Sequence, residues 1–480
     1  MHIQFINVVG GDFSALDIAI TNLATYLNER TTHRASIVDL TFHRHHWKKH
    51  LRKGIEKHKP DVIGFSTNTM YMQYVKEVVE YIKKDYQLPI ILGGAHASIH
   101  PEKTLLLPGV DAVCVGDGEF VLAEYLNRLS ANKSLEGVAG LWIKDRERIV
   151  KNEGGSFIKN IDDLPLPNWD LWEDLDEYFY FLGMLYIQGS RGCPYKCTYC
   201  DAHGIADAVQ GDYFRFRDPV KYAQEIAYQW GKYQRRNLRL AQLFDPVFTI
   251  KDQWLTAFCQ EYSRLGMNNK LRFSAFSRID HLDEKKIKLL SRSGCALLRV
   301  GLEAGDENIR NEVYKKKISN RQIRSIFKLA KQYGIGFTAF YILGGPGEDR
   351  STLQRTLDLA LELDANRSAF FIYKPFTKEG LEQITRYGGK IDEERWQKAD
   401  NITFGAVVQL PDLSLAQIEW FQKKAYFLTF GRRLLRMLIR LKWRYFIHLA
   451  IYLCRGLRQG LDWRYLLIYF HIYAYDNIDK

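Results

Sequence analysis

Three cysteines, Cys193, Cys197 and Cys200, stand close together in the stretch SRGCPYKCTYCDAHG at residues 190–204, although the chain has only 7 cysteines. Thiolates separated by three and then two residues can converge on one iron–sulfur cluster, because a short loop can wrap so that each sulfur faces the same point. Three cysteine ligands leave the fourth iron open to bind and activate a small molecule. The spacing therefore predicts a cluster that takes part in chemistry.

A single zinc ion is the alternative use of this loop. His203 follows Cys200 by three residues and would complete a set of three cysteines and one histidine. Zinc ribbons usually bring ligand pairs from two separated knuckles, whereas all the sulfur here lies in one loop. The sequence favours the iron–sulfur interpretation.

The residues before the cysteines alternate short apolar runs with amphipathic helical ones. Five β-branched runs, from IQFINVV to DAVCVG, predict the strands of a doubly wound, Rossmann-like (flavodoxin-like) parallel α/β sheet. Ligands bind such sheets at the carboxyl ends of the strands. The loops there are rich in small and polar residues, which admit a large ligand, although the glycines could equally serve only to shape tight turns. These loops span residues 10–14, 66–70, 93–98 and 116–120.

The residues after the cysteines form a second series of strands and helices. Six apolar runs, from LYIQGS to SAFFIYKP, predict a partial (β/α)6 TIM-like barrel, and the cysteine loop follows the first of them. The predicted domains are a ligand-binding sheet over residues 1–145, a linker over 146–182, the barrel over 183–380 and a mainly helical, basic region over 381–480.

Composition indicates a folded protein with a basic tail. Hydrophobic residues make up 46% and charged residues 26%, so no large disordered region is expected. No basic leader followed by an apolar run opens the chain, and the odd, scattered cysteines do not form a disulfide pattern, so a cytoplasmic location is expected. The formal net charge is +12, and residues 431–475 hold nine basic side chains against one acid, a net +8.

These features together resemble the cobalamin-binding radical S-adenosylmethionine (SAM) enzymes. RGCPYKCTYC matches the cluster loop of that family, C-x-x-x-C-x-aromatic-C, with Tyr199 as the aromatic residue, and the order of the domains agrees over roughly residues 1–375. The resemblance implies that Cys193, Cys197 and Cys200 ligate a [4Fe-4S] cluster whose free iron chelates SAM. It also implies an external electron donor of the flavodoxin or ferredoxin type.

Later segments match the family as well, namely FDPVFT, SRID, VGLEAG and ILGGPGED. By resemblance, Ser277, Arg278 and Glu303 lie near the methionine and ribose ends of SAM, and Gly344 and Gly345 lie near its adenine. A guanidinium suits a carboxylate, and an acid suits an ammonium group or ribose hydroxyls. A salt bridge inside the barrel is the other role open to Arg278 and Glu303.

The amino-terminal sheet resembles the family's cobalamin domain. The residues implied as cobalamin contacts are Ser66, Thr67, Asn68, Gly93, Gly94, His96, Gly116 and Glu119. The loop D-x-H-x-x-G, whose histidine coordinates cobalt in many cobalamin proteins, is replaced by VVGGDFSALD at residues 8–17. The lower face of cobalamin is therefore expected to receive no histidine from this loop, as is usual in this radical family. His43, His45 and His46 lie on a basic helical stretch and are expected at the surface.

The chemistry implied by the resemblance is methylation of an unactivated carbon. A 5′-deoxyadenosyl radical, formed from SAM, would activate the substrate, and methylcobalamin would supply the methyl group. Rearrangement, ring closure or ring contraction without methyl transfer is the rival within the same chemistry. Methylthiolation is disfavoured because those enzymes carry a second cysteine triad in the amino-terminal domain, where this chain has only Cys114. A non-catalytic cobalamin sensor would leave the cluster loop and the barrel without a role.

The basic tail is consistent with an interfacial helix or with a helical domain packed on the barrel. Its longest uncharged runs are shorter than the ~18–20 residues that span a bilayer. Peripheral contact of residues 431–475 with the inner membrane face would favour a lipophilic substrate such as a terpenoid, a fatty chain or a tetrapyrrole. No recognised nucleic-acid motif accompanies the charge, so no nucleic-acid partner is expected.

Catalytic residues of the protein itself cannot be assigned from the sequence, because tertiary structure decides which side chains face the barrel mouth. Candidates for substrate contact near the ends of the last two strands are Tyr341, Tyr373, Lys374 and Phe376. Barrel packing is the more frequent role of such aromatic side chains.

Overall fold

The computed structural model describes residues 1–8, 16–145, 148–439 and 443–469. They divide into two compact units. Unit 1 comprises residues 1–181, 202–215 and 452–469, and unit 2 comprises residues 182–201 and 216–451. Unit 1 thus includes two segments that the sequence pattern assigns to the barrel and to the tail. The glycine loop at residues 10–14 and the end of the basic tail at 470–475 lie outside the described residues.

Unit 1 is built on a seven-stranded sheet in the order β2-β1-β3-β4-β5-β6-β7. The first five strands are parallel, and their order confirms the flavodoxin-like prediction. A hairpin of two antiparallel strands, β6 and β7, extends this sheet at its β5 edge. The strands are β1 (His2–Asn7), β2 (Arg34–Asp39), β3 (Val62–Ser66), β4 (Ile90–Gly93), β5 (Ala112–Cys114), β6 (Leu141–Asp145) and β7 (Arg148–Lys151).

The helices of unit 1 follow the predicted amphipathic runs and add short ones after β4. Asp17 caps the first of them by accepting a hydrogen bond from the Ile20 amide at 2.9 Å. They are α1 (Ile18–Arg30), α2 (Trp47–His58), α3 (Met72–Asp85), α4 (Ala95–Ile99), α5 (Pro101–Leu105), α6 (Gly118–Ser130), α7 (Leu175–Phe181) and α8 (Ala202–Ala208).

Unit 2 is built on a six-stranded parallel sheet in the order β15-β14-β13-β12-β11-β8, which confirms the predicted partial barrel. Its strands follow one another in chain order, as in a (β/α) barrel. The six strands of this sheet are β8 (Met184–Ile187), β11 (Leu240–Leu243), β12 (Phe273–Ser277), β13 (Cys295–Glu303), β14 (Gly336–Leu343) and β15 (Arg367–Ile372). The short strands outside it are β9 (Ser190–Arg191), β10 (Arg215–Phe216), whose first residue belongs to unit 1, and the hairpin of β16 (Lys390–Ile391) and β17 (Val408–Gln409).

Helices alternate with these strands and continue to the end of the described chain. Asp218 and Pro219 start the first one, since the Asp218 carboxylate accepts hydrogen bonds from the amides of Val220 and Lys221 at 2.9 Å each. The helices are α9 (Pro219–Tyr233), α10 (Asp252–Arg264), α11 (Met267–Lys270), α12 (Glu284–Arg292), α13 (Asn320–Gln332), α14 (Arg350–Leu363), α15 (Lys378–Arg386), α16 (Glu393–Gln397), α17 (Leu415–Ile439), α18 (Trp443–Arg458) and α19 (Trp463–Tyr469).

The carboxyl-terminal region is mainly helical, as predicted, and part of it packs on the sheet of unit 2. In α17, Ile418, Phe421 and Ala425 are buried, and the Gln422 amide donates to the Phe370 carbonyl of β15 at 2.7 Å. Among the described helices, none combines the length and the apolar character that crossing a bilayer requires.

Candidate functional site

The cysteine loop lies in unit 2 after β8 and β9. Cys197 is buried, Cys193 and Cys200 are half-buried, and all are free thiols. The Cys200 amide donates to the Cys197 carbonyl at 3.0 Å, which fixes a tight turn between these two cysteines. Arg278 Nη1 lies 3.7 Å from Cys197 Sγ. The guanidinium therefore lies within hydrogen-bonding distance of this sulfur and places a positive charge beside the cysteine loop.

The three sulfur atoms are spread too widely for one zinc ion. Within the described chain, the only group of His, Cys, Asp or Glu residues whose ligand atoms lie within 4.8 Å of one another is His43, His50 and Asp174. A four-iron cluster binds each cysteine through a different iron, so it holds its ligands farther apart than a single ion does. The donor set and its spacing therefore fit the iron–sulfur interpretation.

Glu303 belongs to a cluster of polar side chains that the sequence did not reveal. The residue ends β13 with a left-handed backbone (φ 63°), beside a shift in the strand register. Its carboxylate accepts a hydrogen bond from Tyr199 Oη at 2.8 Å and forms a buried ion pair with Lys316. Burial and the neighbouring carboxylate raise the pKa of the Tyr199 hydroxyl, so it stays a donor. Backbone strain of this kind is characteristic of functional sites.

Arg278 is held rigidly beside Cys197. It donates to Asp280 at 3.0 and 2.9 Å and to the Lys316 carbonyl at 2.7 Å, and it stacks 3.8 Å from the centre of the Tyr195 ring. Both Arg278 and Glu303 thus form ion pairs, the second role open to them, but with Asp280 and Lys316 as partners.

Ser277 precedes Arg278 at the end of β12. Its hydroxyl lies 2.5 Å from the Thr249 hydroxyl and is buried. Ser277 therefore joins the ends of two neighbouring segments of unit 2 at the carboxyl edge of its sheet.

The loop ILGGPGED follows β14 and is shaped by close contacts. A Cβ on Gly345 would lie 1.9 Å from Tyr314 Oη, and Gly344 has a φ of 78°. The Gly345 amide donates to Glu348 at 2.9 Å, and burial raises the pKa of Glu348 to about 8. Among the described residues, neither Tyr314 Oη nor Glu348 Oε1 has a hydrogen-bond partner. Two unpartnered buried polar atoms beside a glycine loop fit a polar ligand such as SAM.

An aromatic ladder crosses the sheet of unit 2. Successive ring centres lie 5.7, 5.5, 6.1 and 5.9 Å apart. All the rings but the first are only partly buried, unlike the strand neighbours on either side of them. We call this set the aromatic face; it consists of Tyr186, Phe244, Phe276, Phe340 and Phe371.

The aromatic face lies on the same side of the sheet as the Glu303–Lys316 pair. Gly301 pairs with Phe340 in the strand register, so positions 301 and 340 share a side. A Cβ on Gly301 would lie 2.0 Å from Glu303 and 2.5 Å from Lys316 Nζ. Alternate phenylalanines near the ends of strands were the available sequence signal for this face, and sequence reasoning missed it.

Tyr341 lies on the opposite side of β14. It stacks on Phe370 with ring centres 5.0 Å apart, and Tyr426 of α17 packs edge-on against Phe370 at 5.3 Å. Strand alternation thus turns Tyr341 away from the aromatic face and packs its ring against Phe370 of β15.

The other three candidates have different surroundings. Tyr373 stacks on Tyr314 with ring centres 6.3 Å apart, and Tyr314 packs edge-on against Tyr199 of the cysteine loop. Lys374 donates to the carbonyls of residues 404 and 405, and burial lowers its pKa to about 8. Phe376 contacts Trp396 at 6.0 Å. Of the four, Tyr373 is the one beside the predicted cofactor residues.

The cobalamin residues predicted from the sequence gather at the carboxyl edge of β3, β4 and β5. Ser66 ends β3, and Thr67 donates to the Gly93 carbonyl through its amide and its hydroxyl, each at 2.7 Å. Asn68 caps the next turn by accepting from the amides of residues 70 and 71. Gly94 has a φ of 91°, and a Cβ there would lie 2.6 Å from the Thr67 nitrogen. The loops at residues 66–70 and 93–98 are thus joined by hydrogen bonds and by close backbone contact.

The loop at residues 116–120 is tied to the same edge of the sheet. Ser98 bridges it, donating to the Gly94 carbonyl at 2.9 Å and accepting from the Gly116 amide at 3.0 Å. Glu119 is buried in the first turn of α6. Glycine backbones joined in this way leave room for a large ligand and fit the polar portion of cobalamin.

His96, a predicted cobalamin contact, has an imidazole ring that is neither charged nor free to rotate. It is buried, its Nδ1 lies 3.0 Å from the Thr69 hydroxyl, and burial lowers its pKa to about 4. His45 and His46 are exposed, as expected. His43 was expected at the surface too, but it is half-buried and lies 2.9 Å from Asp174, because the segment before α7 covers it.

Two family models match the chain. The B12 binding domain matches residues 5–126, and the Radical SAM superfamily matches residues 187–360. The first range contains the joined loops of unit 1, and the second contains the cysteine loop, Glu303, Lys316 and most of the aromatic face.

Curated relatives share this arrangement at low identity. An uncharacterized methyltransferase of Pyrococcus horikoshii is 27% identical over 398 residues, covering 81% of each chain. An anaerobic magnesium-protoporphyrin IX monomethyl ester cyclase of Cereibacter sphaeroides is 23% identical over 70% of this chain, which spans 55% of the cyclase.

A solved structure has the same fold. It is TsrM, a radical SAM methyltransferase of Kitasatospora setae with cobalamin and a [4Fe-4S] cluster bound. The TM-score is 0.66 at 19% identity, over 82% of this chain and 80% of that one. At this identity the likeness concerns the fold.

Proposed function

We propose, from the membership of this chain in the radical SAM enzymes that carry a B12-binding domain, that it methylates an unactivated carbon of a hydrophobic small molecule. The cysteine loop of unit 2 would hold the [4Fe-4S] cluster and SAM, and the joined loops of unit 1 would hold cobalamin. When bound, these groups supply the radical chemistry and the methyl group.

The aromatic face is the observation that carries the substrate class. Four of its five rings are partly exposed on the side of the sheet that also bears Glu303 and Lys316. Stacked and edge-on rings offer a wide apolar surface, whereas a charged substrate would lose hydration there without gaining partners. A flat or chain-like hydrophobic substrate fits this surface best.

The protein's own groups would position the reactants. Arg278, fixed by Asp280 and the Lys316 carbonyl, keeps a positive charge at Cys197. Glu303 is held by two donors and is available to an ammonium or hydroxyl group of SAM. The aromatic face would exclude water from a reactive carbon, which limits side reactions.

Methyl transfer is tested with the reconstituted full-length chain under anaerobic conditions. The reaction contains a reductant, a host lipid extract and SAM with a deuterated methyl group, and 5′-deoxyadenosine and lipid-soluble products are measured by mass spectrometry. We expect 5′-deoxyadenosine together with a product that carries the label. Cys197→Ala serves as the control and should form neither. Substrate-dependent 5′-deoxyadenosine without label in any product would overturn methylation.

Cyclisation without methyl transfer is the second candidate, and the cyclase relative favours it. The same experiment separates the two, because ring closure changes the product mass without adding the labelled methyl. Phe371→Ser, on the aromatic face, should reduce product formation more than SAM cleavage in either case, since it weakens substrate binding and leaves the cysteine loop intact.

We further propose that the carboxyl-terminal helices contact an anionic lipid surface. Phe427 and Ile439 of α17 are 74% and 71% exposed, and Ile447 and Ile451 of α18 are 59% and 53% exposed. They lie in or beside a tail of net charge +8, in which Arg455 is already paired with Glu177. Exposed apolar side chains in a region of net positive charge are what an interfacial helix requires, and an arginine near anionic lipid contributes about 1 kcal/mol.

Liposome co-sedimentation tests this contact. The wild-type chain should bind vesicles that contain anionic lipid and should not bind purely zwitterionic ones. Ile447→Asp with Ile451→Asp should abolish binding, whereas Leu106→Asp, at a site 60% exposed in unit 1, should not. Equal binding of all variants, or none by the wild type at low salt, would contradict the proposal.

A further inference from the structure

Two histidines and an aspartate that belong to none of the loops described above come together in unit 1. His43 follows β2, His50 lies in α2, and Asp174 precedes α7. The two imidazole rings are stacked with centres 3.7 Å apart and an interplanar angle of 14°. Asp174 Oδ2 lies 2.9 Å from His43 Nε2, and the ligand atoms of the three residues lie within 4.8 Å of one another.

These side chains have the chemistry of transition-metal ligands. Imidazole nitrogens and a carboxylate oxygen are a usual donor set for zinc, and three protein ligands with a water complete a tetrahedron. All three residues are partly buried, so a bound ion would be shielded without being cut off from solvent. Stacked rings direct their nitrogen lone pairs along parallel planes, so one imidazole would turn about its side-chain bonds for both to bind one ion. From the proximity of the three ligand atoms we propose that His43, His50 and Asp174 form a binding site for a divalent transition metal of the zinc type.

The charges around the three residues suit a dication. The negative charges of Asp39, at the end of β2, and of Glu173 act on His43 and favour a cation there, whereas the positive charge of Lys53 acts on His50 and opposes one. Glu173 is paired with Lys57 at 2.6 Å, while Asp39 is hydrogen-bonded by Asn7, Thr41 and Tyr178. A metal ion would therefore take the place of the hydrogen bond between His43 and Asp174, and the Asp39 carboxylate would attract it.

The site would hold together parts of unit 1 that are distant in sequence. Asp174 belongs to the segment that leads into α7, whereas His43 and His50 flank the start of α2. Metal binding would fasten this segment to α2, a stabilising role that is independent of the methylation proposed above.

Zinc binding is measured on the full-length chain with its iron–sulfur cluster assembled, by anaerobic calorimetry and by metal content after desalting. The wild type is expected to bind one Zn²⁺ that His50→Gln and Asp174→Asn each lose. His46→Gln, at an exposed neighbour, should retain it. Bound zinc should raise the melting temperature of the wild type and leave that of the two ligand variants unchanged.

A fourth variant separates this site from the cysteine loop. The chain with Cys193→Ala, Cys197→Ala and Cys200→Ala should still bind the same single Zn²⁺. Retention of that ion by His50→Gln and Asp174→Asn, or its loss in the cysteine variant, would overturn the proposal, while leaving the methylation experiment unaffected.

Discussion

Lys316 is the middle of three consecutive lysines, and it alone is buried. Lys315 and Lys317 are exposed and have left-handed backbones, with φ values of 54° and 57°, so the chain turns Lys316 inward to Glu303. Three lysines in a row would ordinarily indicate a solvated surface. At the scale of the residue, a charge whose partner is distant in sequence could not have been found without the structure.

Removing the Lys316 ammonium group should lower both the stability of the fold and the cleavage of SAM. Lys316→Met leaves the Glu303 carboxylate buried without its cation, which is expected to lower the free energy of unfolding by roughly 3–5 kcal/mol and to abolish SAM cleavage. Lys317→Met removes the same charge from an exposed position and should change stability by less than about 0.5 kcal/mol. Denaturant titration and 5′-deoxyadenosine formation measure the two effects. Equal behaviour of the two variants would remove Lys316 from the site.

Glu348 should make stability depend on pH. Burial raises its pKa from 4.5 to about 8, so the folded chain keeps a proton that the unfolded chain has already lost between these values. Its contribution is therefore fully present below the lower value and is lost as pH rises toward the upper one, by about 1.4 kcal/mol per pH unit.

Unfolding free energies of the wild type and Glu348→Gln, compared across that pH range, measure this contribution. The wild type should lose stability relative to the variant as pH rises. Glu312→Gln, at an exposed acid, is the control and should show no such trend. A flat difference for Glu348→Gln would indicate that its pKa is not raised.

At the scale of elements, the sequence was informative where a pattern repeats within one segment. Helix α13 spans Asn320–Gln332, and both its apolar spacing and its Ser319 cap are signals within one short segment of sequence. The cysteine loop was equally local. The aromatic face was not, since it needs the register of several strands, and neither was the hairpin's place at the edge of the first sheet.

The turn after β14 gives an element-scale prediction. Gly345→Ala would place a methyl 1.9 Å from Tyr314 Oη, and the loop or the ring must move. We expect SAM binding to weaken, and adding Tyr314→Phe should restore part of it because the clash is with the hydroxyl oxygen. Equilibrium binding of SAM to the reconstituted protein measures the change.

Gly231→Ala is the matched control for that substitution. Nothing lies within 4 Å of a Cβ at this position in α9, so alanine should stabilise the helix by up to about 1 kcal/mol and leave SAM binding unchanged. Unaltered SAM binding by Gly345→Ala would show that the loop has no part in the site.

At the scale of the whole molecule, unit 1 is assembled from separate stretches of chain. Tyr452 packs edge-on against Phe181 at 4.9 Å and donates to its carbonyl at 3.3 Å. Arg455 pairs with Glu177, and Gln459 donates to the same carboxylate at 2.8 Å. A division into consecutive domains could not anticipate this, because nothing in the tail itself indicates its partner.

Tyr452→Ala should accordingly destabilise unit 1. Loss of a buried ring and its hydrogen bond is expected to cost about 3–5 kcal/mol. Amide hydrogen exchange should become faster in α7, which contains the contacted residues. Cys454→Ala, on the exposed side of α18, should leave exchange in α7 unchanged; similar acceleration by both variants would argue against these contacts.

The same discontinuity has a consequence for synthesis on the ribosome. Residue 452 is added 271 residues after residue 181 (452 − 181), a delay on the order of tens of seconds at roughly 5–20 residues per second. Throughout that interval α7 has been made but lacks its final cover, with Phe181 without Tyr452 and Glu177 without Arg455. The nascent amino-terminal unit therefore presents a surface that a chaperone could shield until translation of the tail completes it.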